Sequence, residues 1–338
     1  MRFVLVSLVS SLSVLAAEPS LDEQARGLFK PLPSQFDSKE NPVTAEKVAL
    51  GKQLFFEKRL SRNQDVSCNS CHDLTKFGVD GTATSEGHRK QHGDRNAPTV
   101  YNAGHHVAQF WDGRAATLED QAKGPILNPI EMSMKAPADV EAVVSSIPGY
   151  APLFAKAYPG EAKPITYDNL ARAIGAYERT LVTPSRFDAY LAGDVKALTD
   201  AEKAGLKTFM SVGCTACHNG EAVGGAMYQK LGLVAPVPGL KDEGRAKFTK
   251  NVADTFFFKV PSLRNVEKTG PYLHDGSLAT LGDAVRFMGT YQLGKELSAD
   301  EVASLTTFLR SLTGALPKDL SAPKPLAAGP KTPKPDPT

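Results

Sequence analysis

The chain has little excess of either charge: 39 Lys and Arg stand against 37 Asp and Glu, for a formal net charge of +2 over 338 residues. That excludes the global basic field that sequence-independent nucleic-acid binding exploits, so any charge-steered partner must use a local patch. Strand signals are sparse, with Thr255 to Val260 as the one short β-prone run. Beyond the first residues no run approaches the roughly 20 apolar residues that a membrane span needs. The start is different. Met1-Arg2, the apolar run Phe3 to Ala17 and the small residues in Val14-Leu15-Ala16-Ala17 have the form of a secretory signal peptide. Residues 1–17 are therefore expected to be cleaved on export.

Cysteine is scarce too, and its placement is informative. Four cysteines in an exported chain read by default as two disulfides. Here they fall as Cys68-Asn69-Ser70-Cys71-His72 and Cys214-Thr215-Ala216-Cys217-His218, which uses all four and sets a histidine after each pair. This is the attachment pattern of c-type haem: two thiols form thioethers and the adjacent histidine is presented to the iron. A zinc ribbon would hold its two cysteine pairs roughly 15 to 20 residues apart, whereas most of a domain separates these. A thioredoxin-like pair would leave both histidines unexplained. Two covalently bound c-type haems are expected. What they do depends on the far side of each iron, and spacing alone does not choose among His88, His92, His105, His106, His274 and the methionines.

The length suits two domains. Leu170, Ile174, Tyr177 and Leu181 recur at helical spacing, as do Val302, Leu305, Leu309 and Leu312. Thr199 with Glu202 and Ser298 with Glu301 have capping-box spacing, marking two helix starts. A weak repeat places Ala45-Glu46-Lys47 and Leu50 before the first cysteine pair, and Ala201-Glu202-Lys203 and Leu206 before the second. The expected fold is all-α, with two cytochrome c-like domains each built around one covalent haem and little β structure. Thr183-Pro184-Ser185 marks the boundary, giving an N-terminal domain over 18–184 and a C-terminal one over 185–315. Residues 316–338, rich in proline and lysine, are expected to form a flexible tail.

Several longer runs carry a family resemblance. Arg95-Asn96-Ala97-Pro98-Thr99, Gln109-Phe110-Trp111-Asp112-Gly113-Arg114, the run Gly124 to Met132, Val260-Pro261-Ser262-Leu263-Arg264-Asn265 and His274-Asp275-Gly276-Ser277 resemble those of bacterial diheme cytochrome c peroxidases. The resemblance runs from about Leu28 to Leu312 and keeps the family's order around both haem motifs.

Carried over position by position, the resemblance implies His72 and His88 as axial ligands of a low-potential, peroxide-reducing N-terminal haem at rest, with His92 as the rival of His88. It implies His218 and Met288 for a high-potential C-terminal haem that accepts electrons, with Met227 as the rival of Met288. A thioether ligand raises the haem potential, which suits electron entry. Trp111 is placed between the haems, and Glu131 above the peroxidatic iron as acid-base group, with Gln121 beside it. Asn96, Thr269 and Pro271 match the family's calcium positions, and oxygen ligands of that kind suit a hard cation.

The implied reaction is reduction of hydrogen peroxide to water. The expected donor is a small exported redox protein, a monohaem cytochrome c or a cupredoxin, and the expected setting is a homodimer in the periplasm. Two other readings remain. A related diheme branch oxidises residues of a partner protein, but carries tyrosine where this chain has Met288. The other is a non-enzymatic diheme electron carrier.

Overall fold

The computed structural model describes residues 19–338, so the expected signal peptide, 1–17, lies outside the described residues. The first half contains α1 (Leu21–Leu28), α2 (Ala45–Phe55), α3 (Cys68–Cys71), α4 (Leu118–Leu127), α5 (Pro137–Ser145), α6 (Tyr150–Ala157) and α7 (Tyr167–Glu178). The second contains α8 (Arg186–Leu191), α9 (Asp200–Val212), β1 (Tyr228–Lys230), α10 (Ala246–Thr249), β2 (Phe257–Lys259), α11 (Leu281–Leu293) and α12 (Ala299–Ser311). The two strands form one antiparallel ribbon, with Tyr228 opposite Lys259. The fold is helical, as expected.

Two hydrophobic cores form, one in each half. In the first, α2 crosses α7 so closely that a Cβ on Gly51 would stand 2.0 Å from the Ala173 carbonyl oxygen. In the second, α9 crosses α12, and a Cβ on Gly205 would stand 2.3 Å from the Ser304 carbonyl oxygen. Only glycine permits either approach. Thr44 caps α2, and Thr199 with Glu202 closes a capping box on α9. Each of these helices leads into a Cys-x-x-Cys-His segment, so the weak sequence repeat is a repeated structural unit.

The two chain ends cross over. Although they precede the first module, α1 and Phe29 pack in the second core: Ala25 and Phe29 are fully buried there, with Phe29 edge-on to Phe187. Asp188 holds this crossing by accepting from the Leu32 amide at 2.8 Å and from Arg264 Nη1 at 2.7 Å. The Arg264 side chain is fully buried, so losing Asp188 would strand a charge at a cost of about 3–5 kcal/mol. The segment up to about residue 32 therefore belongs spatially to the C-terminal half, a correction to the expected 18–184 domain.

The expectation of a flexible tail after Pro317 is likewise corrected. Residues 316–338 run as an extended strap against the N-terminal half. Leu316, Leu320 and Leu326 pack on its core. Lys52 pairs with Asp319 at 2.8 Å, Arg62 with Asp336 at 2.8 Å, and Ser146 Oγ with Thr332 Oγ1 at 3.0 Å. Isolated leucines among seven prolines resemble disorder in composition, but proline also lowers the entropy lost on docking an extended segment.

Candidate functional site

Both attachment motifs adopt the same local geometry. The first pair lies on the short helix α3 and the second begins on the 3-10 turn Cys214–Ala216, with all four cysteines half-buried. The His72 amide donates to the Cys68 carbonyl at 2.9 Å and the His218 amide to the Cys214 carbonyl at 3.0 Å. All four cysteines are free thiols, so neither pair is a disulfide. His72 Nδ1 donates to the Gly78 carbonyl at 3.4 Å, and His218 Nδ1 to the Val223 carbonyl at 3.3 Å. A carbonyl can only accept, so each proton sits on Nδ1 and each Nε2 is left as a ligand. Burial lowers the pKa of His72, and lowers that of His218 to about 4, keeping both rings neutral as iron ligation requires. The residues present fit covalent haem at both places.

A cavity of about 480 Å3 opens in front of the first motif. Cys71, His72, Asn96, Trp111, Gln121 and Glu131 line it, bringing together six of the expected site residues from segments up to 60 positions apart. Glu131 is half-buried, and its Oε1 accepts from Asn128 Nδ2 at 2.7 Å. Burial raises its pKa, while the Arg114 charge and the Asn128 hydrogen bond pull the other way. Gln121 reaches the same wall from α4, whose N-terminus Thr117 caps.

Glu178 was not anticipated. It is 3% exposed, lines the cavity from the end of α7 and leaves Oε2 without a partner. Burial, reinforced by Glu119, pushes its carboxyl up to about 8. It stands beside Leu181 in the same apolar stripe used to recognise the helix, and a carboxylate at that position is the signal that could have revealed it.

His88 and its rival differ sharply. His88 is 3% exposed, and neither ring nitrogen has a partner, an arrangement that costs free energy unless something else binds the ring. Its amide donates to the Glu131 carbonyl at 2.7 Å, and Gly87 packs so tightly on Ile130 that no side chain would fit. His92 is exposed and donates from Nδ1 to the Thr84 carbonyl at 3.0 Å. His88 does not line the cavity that holds His72 and Glu131. The structure therefore docks its loop on the Glu131 turn without bringing the ring to the cavity wall.

At the second motif, α11 lies alongside the haem attachment turn. Leu293 approaches Gly213, and Lys295 Nζ donates to the Val212 carbonyl at 2.9 Å. Met288 is half-buried on α11. The β-ribbon closes another side, with Gln229 Nε2 4.0 Å from Cys217 Sγ. Met227, the rival, lies just before the ribbon, its carbonyl occupied by the Val260 amide.

Trp111 joins the halves. Its Nε1 donates to the Asn96 carbonyl at 2.9 Å, its own carbonyl accepts from the Lys259 amide at 2.8 Å, and its ring meets His274 edge-on at 6.4 Å. Arg95 spans the same seam, bonded to Asp112 and Asp242, each at 2.7 Å. The Asn96 amide donates to the His274 carbonyl at 2.7 Å, tying it to the loop that carries Thr269 and Pro271. Asn96 Nδ2 donates to the Thr82 carbonyl at 2.8 Å, which turns Oδ1 the other way as a candidate cation ligand. Among the described residues no hydrogen bond joins Asn96 to Thr269 or Pro271.

The comparisons with known proteins agree with this geometry. A family model described as di-haem cytochrome c peroxidase matches residues 45–196. The chain is 49% identical to the cytochrome c551 peroxidase of Pseudomonas aeruginosa, over 92% of this chain and 91% of that one. It is 48% identical to the cytochrome c551 peroxidase of Nitrosomonas europaea, over 82% of each. Among solved structures, a MauG-like protein associated with microbial copper homeostasis superposes with a TM-score of 0.75 at 29% identity, over 90% of this chain and 97% of that one. With two haem attachment motifs on duplicated helical modules and relatives matched along nearly their whole length, this chain belongs to the di-haem cytochrome c peroxidase family.

Proposed function

We propose that this di-haem cytochrome c peroxidase reduces hydrogen peroxide in the N-terminal cavity, with Glu131 moving the proton. The observation that carries this reading is a half-buried carboxyl with a raised pKa on the wall of the cavity that His72 faces. When bound there, the haem supplies an iron that takes electrons singly and cleaves the O–O bond. The chain's residues do the rest. Glu131 accepts the proton of the peroxide oxygen nearer the iron and returns it to the departing oxygen, so that water leaves. Asn128 holds the carboxylate in position, and Gln121 orients peroxide from the same wall. His72 anchors the proximal side, and His88 is the removable ligand of the resting form. Its buried, unpartnered ring supports that role over the exposed His92.

Electrons enter at the C-terminal haem, held by Cys214, Cys217, His218 and Met288, and cross by Trp111. The donor is a small exported redox protein, a monohaem cytochrome c or a cupredoxin, and the setting is a homodimer in the periplasm. No helix among the described residues is long and apolar enough to cross a membrane. Calcium bound through Asn96, Thr269 and Pro271 holds the halves in register. The experiment that tests the reading is peroxide turnover by the diheme protein with a reduced monohaem cytochrome c. A plain electron carrier would exchange electrons with the cytochrome and leave peroxide intact.

A further inference from the structure

Lys259 ends β2 and is 6% exposed. Its only side-chain partner is neutral: Nζ donates to His106 Nδ1 at 3.3 Å, and Lys259 enters no ion pair among the described residues. That hydrogen bond leaves the His106 proton on Nε2, which is itself buried without a partner. The imidazole is clamped in place, since a Cβ on Gly225 would stand 2.4 Å from its Cδ2. An ammonium and an N–H donor are thus enclosed together with no anion to compensate them, an arrangement that is costly unless an acceptor arrives. Burial alone brings the Lys259 pKa down to about 8.

The location indicates what that acceptor is. The His106 ring that accepts from Nζ packs on Gly225, the neighbour of Gly224. Two residues beyond Lys259, the Pro261 carbonyl closes on Gly224, where a Cβ would stand 3.1 Å from His218 Nδ1. Lys259 therefore sits within the frame of the second haem, and it is absent from the lining of the first cavity. Its amide nevertheless bonds to the Trp111 carbonyl at 2.8 Å, at the seam between the halves.

We infer that Lys259 is the counter-charge for a propionate carboxylate of the C-terminal haem, with His106 fixing its position and offering Nε2 as a second donor. The inference rests on haem being attached at Cys214 and Cys217. A fixed positive charge beside a haem favours the ferrous form, so Lys259 raises the potential of the haem that receives electrons.

The test is a spectroelectrochemical redox titration of the purified diheme protein, with no peroxide present, comparing wild type with Lys259→Met and Lys259→Arg. Haem content by pyridine haemochrome and the low-spin signals by electron paramagnetic resonance serve as folding controls. The expected result is a lower potential for the C-terminal haem in Lys259→Met, restored toward wild type in Lys259→Arg. Two intact haems with an unchanged C-terminal potential in Lys259→Met would overturn the inference. So would a shift confined to the N-terminal haem, which would move the charge to the other site. If Lys259→Met fails to fold, His106→Asn provides the second arm: a lower C-terminal potential supports the pair, and an unchanged one refutes it. Because the readout is a potential, the inference can fail while peroxide turnover by Glu131 stands, and the reverse holds too.

Discussion

In the N-terminal half the attachment histidine faces a cavity walled by Trp111, Gln121, Glu131 and Glu178. In the C-terminal half the same motif is closed in by α11, which carries Met288, and by the β-ribbon. The helix before each motif is capped by a threonine and crosses its partner at a glycine. What differs is what surrounds each motif. A cavity with ionisable walls suits a reactant that must exchange protons, whereas a thioether ligand would suit a haem that only passes electrons.

The largest effect expected is on the acid-base group. Glu131→Gln preserves shape and the Asn128 contact but cannot accept a proton, so turnover with a reduced cytochrome should fall by roughly 10²- to 10⁴-fold while both haem spectra persist. Near wild-type turnover would assign the proton to another group, with Glu178 next in line.

His88 tests whether the N-terminal site is open or gated. With His88→Gly, the oxidised protein should show a high-spin N-terminal haem and react with peroxide without prior reduction, whereas the wild type should need one electron first. A low-spin signal retained in the variant would point to His92 as the cap, against the exposure of that ring.

Met288→His should keep the C-terminal haem six-coordinate and lower its potential, because imidazole replaces a ligand that favours ferrous iron. An unchanged potential on titration would remove Met288 from the iron and with it the contrast between the halves.

Two smaller effects concern stability, and both fall on the N-terminal half. Glu178 has its folded pKa raised from 4.5 to about 8, so between those values the native state holds a proton that the unfolded chain has released. Wild-type stability should therefore decline as pH rises through that window. Urea midpoints of Glu178→Gln, which is neutral throughout, should decline less; parallel slopes would show that Glu178 ionises freely. Removing residues 317–338 exposes the contacts of Leu320 and Leu326 and should cost about 2 kcal/mol, read as a lower urea midpoint. An unchanged midpoint would mean the strap contributes nothing to folding.

The readings that succeeded from sequence were local ones. The haem motifs span five residues each, and the capping boxes at Thr199 and Ser298 span four. The capping boxes form where expected, as does the β-prone run, of which Phe257–Lys259 is one strand of the ribbon. The apolar stripe through Leu170, Ile174 and Tyr177 is the buried face of α7. Failures came where a segment's partner is remote in sequence. The strap looked unstructured because its leucines pack on a core formed far earlier in the chain, and α1 looked like part of the first domain because the residues that hold the segment, Phe187, Asp188 and Arg264, come much later in the sequence.

The sequence by itself determined the helical modules, the two attachment sites and the residue types available for catalysis, because each is set by neighbours a few positions away. The tertiary structure alone decided which of those residues meet. Glu131 and Trp111 share the cavity of His72, Glu178 joins them unannounced, and Lys259 is enclosed with His106 beside the other haem site. Burial and charge compensation depend on what the remote parts of the chain bring to the same point, and residue order along the chain does not specify that.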